Sequence, residues 1–460
     1  MIFEQIVTPG LGCFSYAIGC PKTGLMAVVD PRRDTDVYLR IADEHGMRIT
    51  HIFDTHVHAD HISGAQQLRA QTGADIYIHE SAPVTYEAKK LKEGDEFTFG
   101  NPVIRVLHTP GHTPNSISLL LSDLARSPEP TAILTGDLLF VGDTGRPDLP
   151  GEDILDEQVE NLYNSLFNTL GPLPDYLEVY PAHGQGSLCG QGISAKQSST
   201  LGYERLTNPM LQYPDFDEFK RAVLSNLPMR PQSFSGIIPA NMDIIPIIPL
   251  CEDLSPYALS ADDVERMQGE GVALLDVRDA LSFSAAHIPG SLNVDASASS
   301  MLNWIGVVIA PKVPIVLILP PDRSFEDMRL ELQRIGYDTV NGYLKGGVKA
   351  WLSSGREIQA LPHISAATLR DRLAQADPPL IIDVRGPKEF ANMSIEGAVN
   401  LTFDRFIELD ACPEAVKKGA VIVCQSGFRS GIAASVLQAQ GCADISVLSG
   451  GMGAWRKLNQ

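Results

Sequence analysis

An α/β fold is predicted along the whole chain, as one larger N-terminal unit followed by two smaller, mutually similar domains. Three features predict it. Over residues 1 to 235, short apolar runs of strand length alternate with helical spacing, and several runs end in a histidine or aspartate. A proline-rich stretch without sustained periodicity, Leu227–Pro249, then interrupts the pattern. Beyond it a block of about 100 residues occurs twice, again alternating strand and helix in the manner of a parallel sheet covered by helices.

Taken in order, Phe14–Ile18 and Leu25–Asp30 read as strands joined by the turn Pro21-Lys22-Thr23-Gly24. Val37–His45 has helical spacing. The run Ile49–Asp54 is a further strand and delivers His56-Val57-His58-Ala59-Asp60-His61, after which Ser63-Gly64-Ala65 opens a helical pattern. Period-two spacing predicts the His56 and His58 imidazoles on one side of an extended segment. Strands are also predicted at Ile76–Ile78, Val103–Leu107, Ser116–Leu121, Ala132–Leu134 and Leu177–Tyr180. In the repeat, Leu275-Asp276-Val277-Arg278 recurs as Ile382-Asp383-Val384-Arg385. Gly290 and Asn293 recur as Gly397 and Asn400, and Gly346-Gly347 with Trp351 recurs as Gly450-Gly451 with Trp455. The domains expected are 1–235, a linker over 236–255, then 256–358 and 359–460.

Composition narrows the function classes. A net charge of −20 argues against nucleic acid or an anionic membrane as partner, since both need a basic surface. Residues Met1–Gln5 have neither a basic nor an apolar signal region, and no run approaches the ~18–20 apolar residues of a membrane span. Seven scattered cysteines are not a disulfide framework, so a reducing, cytoplasmic location is expected. A homo-oligomer is the expected assembly.

Three segments complete the opening histidine cluster. His112 follows the run Val103–Leu107, Asp137 ends Ile133-Leu134-Thr135-Gly136-Asp137, and His183 ends Val179-Tyr180-Pro181-Ala182-His183. His56, His58, Asp60, His61, His112, Asp137 and His183 suffice for two adjacent divalent metals bridged by Asp137.

These motifs, in this order, resemble the metallo-β-lactamase fold family, an αββα sandwich with its metals at the strand ends. The resemblance implies one site from His56, His58, His112 and Asp137, and a second from Asp60, His61 and His183 with Asp137. Two kinds of relative compete. Thioester hydrolases of the glyoxalase II type use two metals, here two zinc ions. Persulfide dioxygenases use one Fe(II), at the positions of His56, His112 and Asp137, with His58, Asp60, His61 and His183 around it. Two histidines and one carboxylate leave three positions open, as O₂ and a substrate sulfur require. The loop Gly136–Leu149 is similar to the one that carries, nine residues past the bridging Asp, an Arg gripping the carboxylate of a low-molecular-weight thiol, and Arg146 stands there. Gln185 stands where glutathione-using relatives carry an aromatic residue. Cys189, in the Gly-rich loop after His183, is a possible sulfur acceptor. His45, His51, His79, His287 and His363 lack clustered partners, His108 is expected to bond its own Pro-Gly loop, and Cys13 and Cys20 are expected to pack.

In the last domain the strand Ala420–Val423 ends at Cys424, followed by Gln425-Ser426-Gly427-Phe428-Arg429 and a helical pattern. A six-residue loop between strand and helix curls amide donors around the sulfur and favours an anionic thiolate or persulfide. Arg429 closes the loop. This resembles the rhodanese family, which implies that Cys424 accepts sulfane sulfur and passes it to a thiol. In the first repeat Leu319 replaces the cysteine and Pro320-Pro321 remove donors, so that domain is expected to be inactive. Cys412 and Cys442 are expected to be inert thiols. Together the halves predict an Fe(II) persulfide dioxygenase–sulfurtransferase acting on a thiol persulfide and O₂, forming sulfite and then thiosulfate. The alternatives are a dinuclear thioester hydrolase, a non-catalytic sulfur-relay scaffold, and a flavodoxin-partnered oxygen reductase, for which no flavodoxin-like domain is visible.

Overall fold

The computed structural model describes all residues except 226, 228, 250–252, 408–411, 414, 415, 417, 418, 459 and 460. Pro228 of the proline-rich stretch, residues 250–252 of the expected linker, and with them Cys251, lie outside the described residues. The chain divides into two units, Met1–Cys251 with Leu330–Gly336, and Glu252–Arg329 with Tyr337–Gln460.

In the first unit, β1 (Ile2–Thr8), β2 (Cys13–Cys20), β3 (Leu25–Val29), α1 (Asp36–Glu44), β4 (Arg48–Phe53), α2 (Ala65–Thr72), β5 (Asp75–His79) and β6 (Lys89–Leu91) follow one another. Their strands form one sheet in sequence order, antiparallel from β1 to β3 and parallel from β3 onward. The second sheet uses β7 (Glu96–Thr98), β8 (Pro102–His108), β9 (Ile117–Asp123) and β10 (Ala132–Gly136). A short hairpin, β11 (Leu139–Phe140) and β12 (Asp143–Thr144), and α3 (Leu155–Asn164) precede its last two strands, β13 (Glu178–Pro181) and β14 (Ser199–Thr200). Its order is β14-β13-β10-β9-β8-β7. Helices α4 (Leu201–Thr207), α5 (Phe216–Leu224) and α6 (Phe234–Met242) end the unit.

Three apolar layers hold these elements together. Phe14, Tyr16, Phe53, Val106, Leu119 and Leu134 fill the space between the sheets. Ala17, Val28 and Ile52 face Tyr38, Ile41 and Leu68 of α1 and α2, while Leu120, Ile133 and Val179 face Val159, Leu162 and Phe219 of α3 and α5. The result is the αββα sandwich. Both faces of each sheet are covered, so β2 is buried at every residue and does not alternate.

The predicted strands are all present, with β1 and the short β6, β7, β11, β12 and β14 added. The linker differs: α6 stands where the linker is expected to begin. Phe234 packs with Ala59 and Leu149, and Ile238 packs against the same cluster, which gives this segment an apolar face to bury.

The second unit holds two five-stranded, all-parallel sheets of the same design. The first runs Ala258–Leu259, Val340–Leu344, Ile315–Ile318, Ala273–Asp276, Leu292–Asn293, and the second His363–Ile364, Ile445–Leu448, Ala420–Val423, Leu380–Asp383, Val399–Asn400. The sequence repeat recurs as hydrogen bonds. Asn293 Nδ2 donates to the Asp276 and Arg278 carbonyls at 2.9 and 2.9 Å, and Asn400 Nδ2 to those of Asp383 and Arg385 at 2.9 and 2.8 Å. Cys412 and Cys442 are not inert thiols. They form a disulfide with Cα atoms 5.3 Å apart, because the turn after helix Phe428–Ala439 brings both together: Cys412 N–H donates to Gln440 O and Cys442 N–H to Leu437 O.

Candidate functional site

All seven predicted ligand-type residues lie buried at the strand ends of the sandwich. His56, His58, Asp60 and His61 stand on the loop between β4 and α2, His112 on the loop after β8, and Asp137 and His183 directly after β10 and β13. The His-x-His pair is in a loop, not a strand. Its rings stay 4.2 Å apart but take different partners.

His56, His112 and Asp137 converge. His112 Nε2 is 3.3 Å and His56 Nε2 4.0 Å from Asp137 Oδ2. The three atoms are buried and have no hydrogen-bond partner. The opposite ring nitrogens are anchored: His112 Nδ1 to the Arg146 carbonyl at 2.8 Å, and His56 Nδ1 to Thr55 Oγ1 at 3.0 Å. Thr55 in turn donates to Asp30 Oδ2 at 2.9 Å. Anchoring one nitrogen to an oxygen leaves the other as a lone pair aimed inward, as metal-ligating histidines require. Burial holds both imidazoles below their usual range, and so neutral. Burial pushes the Asp137 carboxyl up, but His183, His112 and His56 outweigh it and hold the group well below the usual carboxylate range. Three orphaned donors at this spacing fit one divalent cation.

Of the other four, the three histidines are hydrogen-bonded to carboxylates, Asp60 among them, while His58 Nδ1 is buried without a partner. His58 Nε2 meets Asp30 Oδ1 at 3.1 Å. His183 lies between Asp137 Oδ1 at 2.6 Å and Asp60 Oδ2 at 2.7 Å, and His61 Nδ1 is 3.1 Å from Asp60 Oδ1. Burial pulls His183 down, but Asp137 and Asp60 on either side raise it well above the ordinary histidine range.

Several contributors escape sequence reasoning. Asp30 holds the loop through the Thr55 amide as well as Thr55 Oγ1 and His58, from a backbone at φ 50° that a non-glycine residue seldom adopts. Asn241 of α6 donates to the His58 and His61 carbonyls and accepts from the Ser63 amide. Gly145 packs so closely that a Cβ there would lie 1.9 Å from Asp137 O. Cys13 is more than a packing residue: its Sγ donates to Asp60 Oδ2 at 3.0 Å.

Arg146 is buried beside the site. Its buried guanidinium closes on Asp148 with two 2.7 Å bonds and on the Leu188 and Met229 carbonyls. Its carbonyl meets His112 Nδ1. Cys189 needs no loop motion to reach the cluster, since its sulfur already lies within 4.8 Å of ligand atoms of Asp137 and His183. Burial and then the Asp137 carboxylate push that thiol well above its usual range. A narrow pocket, lined in part by Asp143, Arg146, Cys189 and Gln191, lies at this edge. His108 bonds Pro114 O as expected.

In the second unit Cys424 ends a fully buried strand. Its sulfur accepts from the Gly427 amide at 3.1 Å and from Ser430 Oγ at 3.4 Å. Gly427, at φ 112°, turns the loop of Gln425, Ser426 and Phe428 into helix Phe428–Ala439. Arg429 closes the loop with its fork on Glu389, at 2.8 and 2.8 Å. Trp304 of the first repeat stands 6.1 Å from Phe428, ring to ring.

Comparison with known proteins agrees with this architecture. Residues 8–183 match the metallo-beta-lactamase superfamily, and 260–354 and 365–458 each match the rhodanese-like domain. The mitochondrial persulfide dioxygenase ETHE1 of Bos taurus is 27% identical over 243 residues, 53% of this chain and 88% of the relative. A hydroxyacylglutathione hydrolase of Nitrosococcus oceani is 34% identical over 187 residues, 40% of this chain and 66% of the relative. A solved metallo-beta-lactamase from Staphylococcus aureus is 31% identical, covering 75% of this chain and 99% of that one with a TM-score of 0.66. With its sandwich, its strand-end cluster and its repeated parallel sheets, the chain belongs to the metallo-beta-lactamase superfamily and carries two rhodanese-like domains after that fold.

Proposed function

We propose that this chain oxidises a low-molecular-weight thiol persulfide with O₂ and couples that reaction to sulfur transfer at Cys424. One observation carries the reading: His56, His112 and Asp137 bring unpartnered ligand atoms together in one group, whereas the unpartnered Nδ1 of His58 is not part of that group. These three would hold one Fe(II), which when bound supplies open coordination positions and the redox chemistry for O₂ and a sulfur substrate. Thr55 and the Arg146 carbonyl keep Nε2 of both histidines unprotonated and inward. Likeness to persulfide dioxygenases supports the substrate class.

The overall balance is RSSH + O₂ + H₂O giving RSH, sulfite and two protons. At Cys424 the thiolate attacks the outer sulfur of a second persulfide and releases the thiol. The Gly427 amide and Ser430 hydroxyl hold the resulting anionic persulfide. Sulfite then takes the outer sulfur, giving thiosulfate and regenerating the thiolate. Arg429, neutralised by Glu389, shapes the loop, and Leu319 leaves the first repeat without a sulfur carrier. Cys189 stays a candidate acceptor, tested by the mass gain of one sulfur atom on its peptide after turnover.

The hydroxyacylglutathione hydrolase likeness favours a second reading, two zinc ions and thioester hydrolysis without O₂. Single-turnover product analysis separates the two. The wild-type chain should give thiosulfate and Cys424→Ser mainly sulfite, with equal O₂ uptake. Identical products from both would overturn the coupling, and thioester hydrolysis without O₂ uptake would overturn the dioxygenase.

A further inference from the structure

We propose that Trp304, carried by the repeat without a cysteine, forms with Phe403 and Phe428 an aromatic wall that recognises the carbon skeleton of the persulfide donor at Cys424. This wall presupposes the sulfur transfer proposed at that cysteine. Trp304 stands 4.9 Å from Phe403 and 6.1 Å from Phe428, ring to ring, both edge to face. Aromatic pairs attract at separations of about 4.5–7 Å. Trp304 is the sole aromatic residue of helix Met301–Val308. Met301, Leu302 and Ile305 of that helix are buried, whereas Trp304 is half-buried and keeps part of its ring surface toward solvent.

The position of Phe428 ties this wall to the reacting sulfur. Phe428 opens helix Phe428–Ala439 directly after Gly427, whose amide donates to Cys424 Sγ at 3.1 Å. A donor must bring its outer sulfur to that Sγ, so its thiol part lies over the mouth of the loop. There Phe428 and Trp304 are half-buried, and Gln425 and Ser426 are exposed. Arg429 turns its fork on Glu389, at 2.8 and 2.8 Å, which leaves the rings to grip the carrier. Aromatic surface beside polar side chains suits a thiol built of methylene and amide groups. A sulfur donor without carbon gains nothing from it.

The first repeat is fastened to the same helix, which fixes the wall in place. Asn293 N–H donates to Ser435 Oγ at 3.0 Å, and both residues are buried. Ser435 follows Phe428 by seven residues, two turns along one helix face. Between them on that face stands Gly431, buried, where an added Cβ would meet no neighbouring element within 4 Å. The face thus touches the first repeat at both ends and keeps room between them. With Leu319 in place of a cysteine, that repeat carries no sulfur itself but contributes a specificity-determining residue to the repeat that does.

Thiocyanate formation by the full chain, under argon with cyanide as acceptor and Cys424→Ser as the blank, tests this apart from any O₂ chemistry. The Cys424 thiolate bonds to the donor's outer sulfur, the donor's S–S bond breaks, and the thiol or sulfide leaves with the proton. Cyanide then takes the sulfur as thiocyanate and restores the thiolate. Glutathione persulfide and inorganic hydrogen disulfide, HSS⁻, are compared as donors. Trp304→Ala should raise KM for glutathione persulfide roughly 3–10-fold with kcat little changed. KM for HSS⁻ should rise less than about twofold, and Trp304→Phe should recover most of the loss. Equal KM rises for both donors, a fall in kcat alone, or no change with either overturns the wall. Gly431→Leu fills the room on the same face with a better helix former and covers an alanine variant that fails to fold. It should raise KM for glutathione persulfide alone, and an unchanged KM overturns the proposal. No thiocyanate from the wild type with either donor refutes sulfur transfer at Cys424 and the wall with it, whereas donor-independent loss refutes only the wall.

Discussion

Thr55→Val removes one hydroxyl and keeps the shape. In the native chain that oxygen accepts from His56 Nδ1 at 3.0 Å and donates to Asp30 Oδ2 at 2.9 Å. Without it the His56 proton loses its anchor, and Nε2 is no longer kept as the lone-pair nitrogen. Loss of such an outer contact weakens metal binding by roughly 10–100-fold, or about 1.4–2.8 kcal/mol. Asp30 Oδ1 keeps the Thr55 amide and His58, so only Oδ2 is stranded, costing about 1–3 kcal/mol of stability. Iron retention against a chelator gives the first quantity and urea unfolding of the metal-free chain the second. Thr55→Ser, which keeps the hydroxyl, should retain iron. Equal losses in Val and Ser variants, or none in Val, would refute the claim that this hydroxyl sets the His56 tautomer.

Other perturbations follow from the same contacts. Asn241→Ala strips partners from the His58 and His61 carbonyls and the Ser63 amide, so chemical denaturation should show a loss of about 2–4 kcal/mol. His58→Ala should keep one iron per chain by elemental analysis, because His58 bonds Asp30 and not the triad; loss of the iron would count against that assignment. His79 is held down to about 4 by burial and by His108, stacked on it at 3.9 Å. The folded state thus binds fewer protons than the unfolded one between pH 6.5 and 4, and stability must fall as pH falls through that window. Allowing for solvent screening, the loss is about 1–2 kcal/mol, and His79→Asn should flatten it in melts taken between pH 7 and 4.

Much of the site is legible in the sequence because each ligand follows its own short apolar run, with glycine or a small residue beside it. The rest is hidden where the decisive partner is ordinary in its own window. Cys13 sits in an unbroken apolar strand and reads as packing until β13 brings His183 against it. Asp30 looks like a strand-end aspartate, and only the fold shows it bridging Thr55 and His58. Asn241 lies in a proline-rich stretch whose pattern hides α6. Arg146 has the expected residue type at the expected spacing, but Asp148, two residues on, takes its fork. The Cys412–Cys442 disulfide is obscured by an odd, scattered cysteine count. The period-two argument fails for His56 and His58 because β4 ends at Phe53, before either of them.

The central claim is that one orphaned triad works alone with iron. Oxygen uptake with a thiol persulfide, measured per iron on the same preparation, tests it most directly. The account predicts about one iron per chain, uptake proportional to that iron, and loss of both in His112→Ala. Uptake that is absent, or independent of iron content, would contradict it.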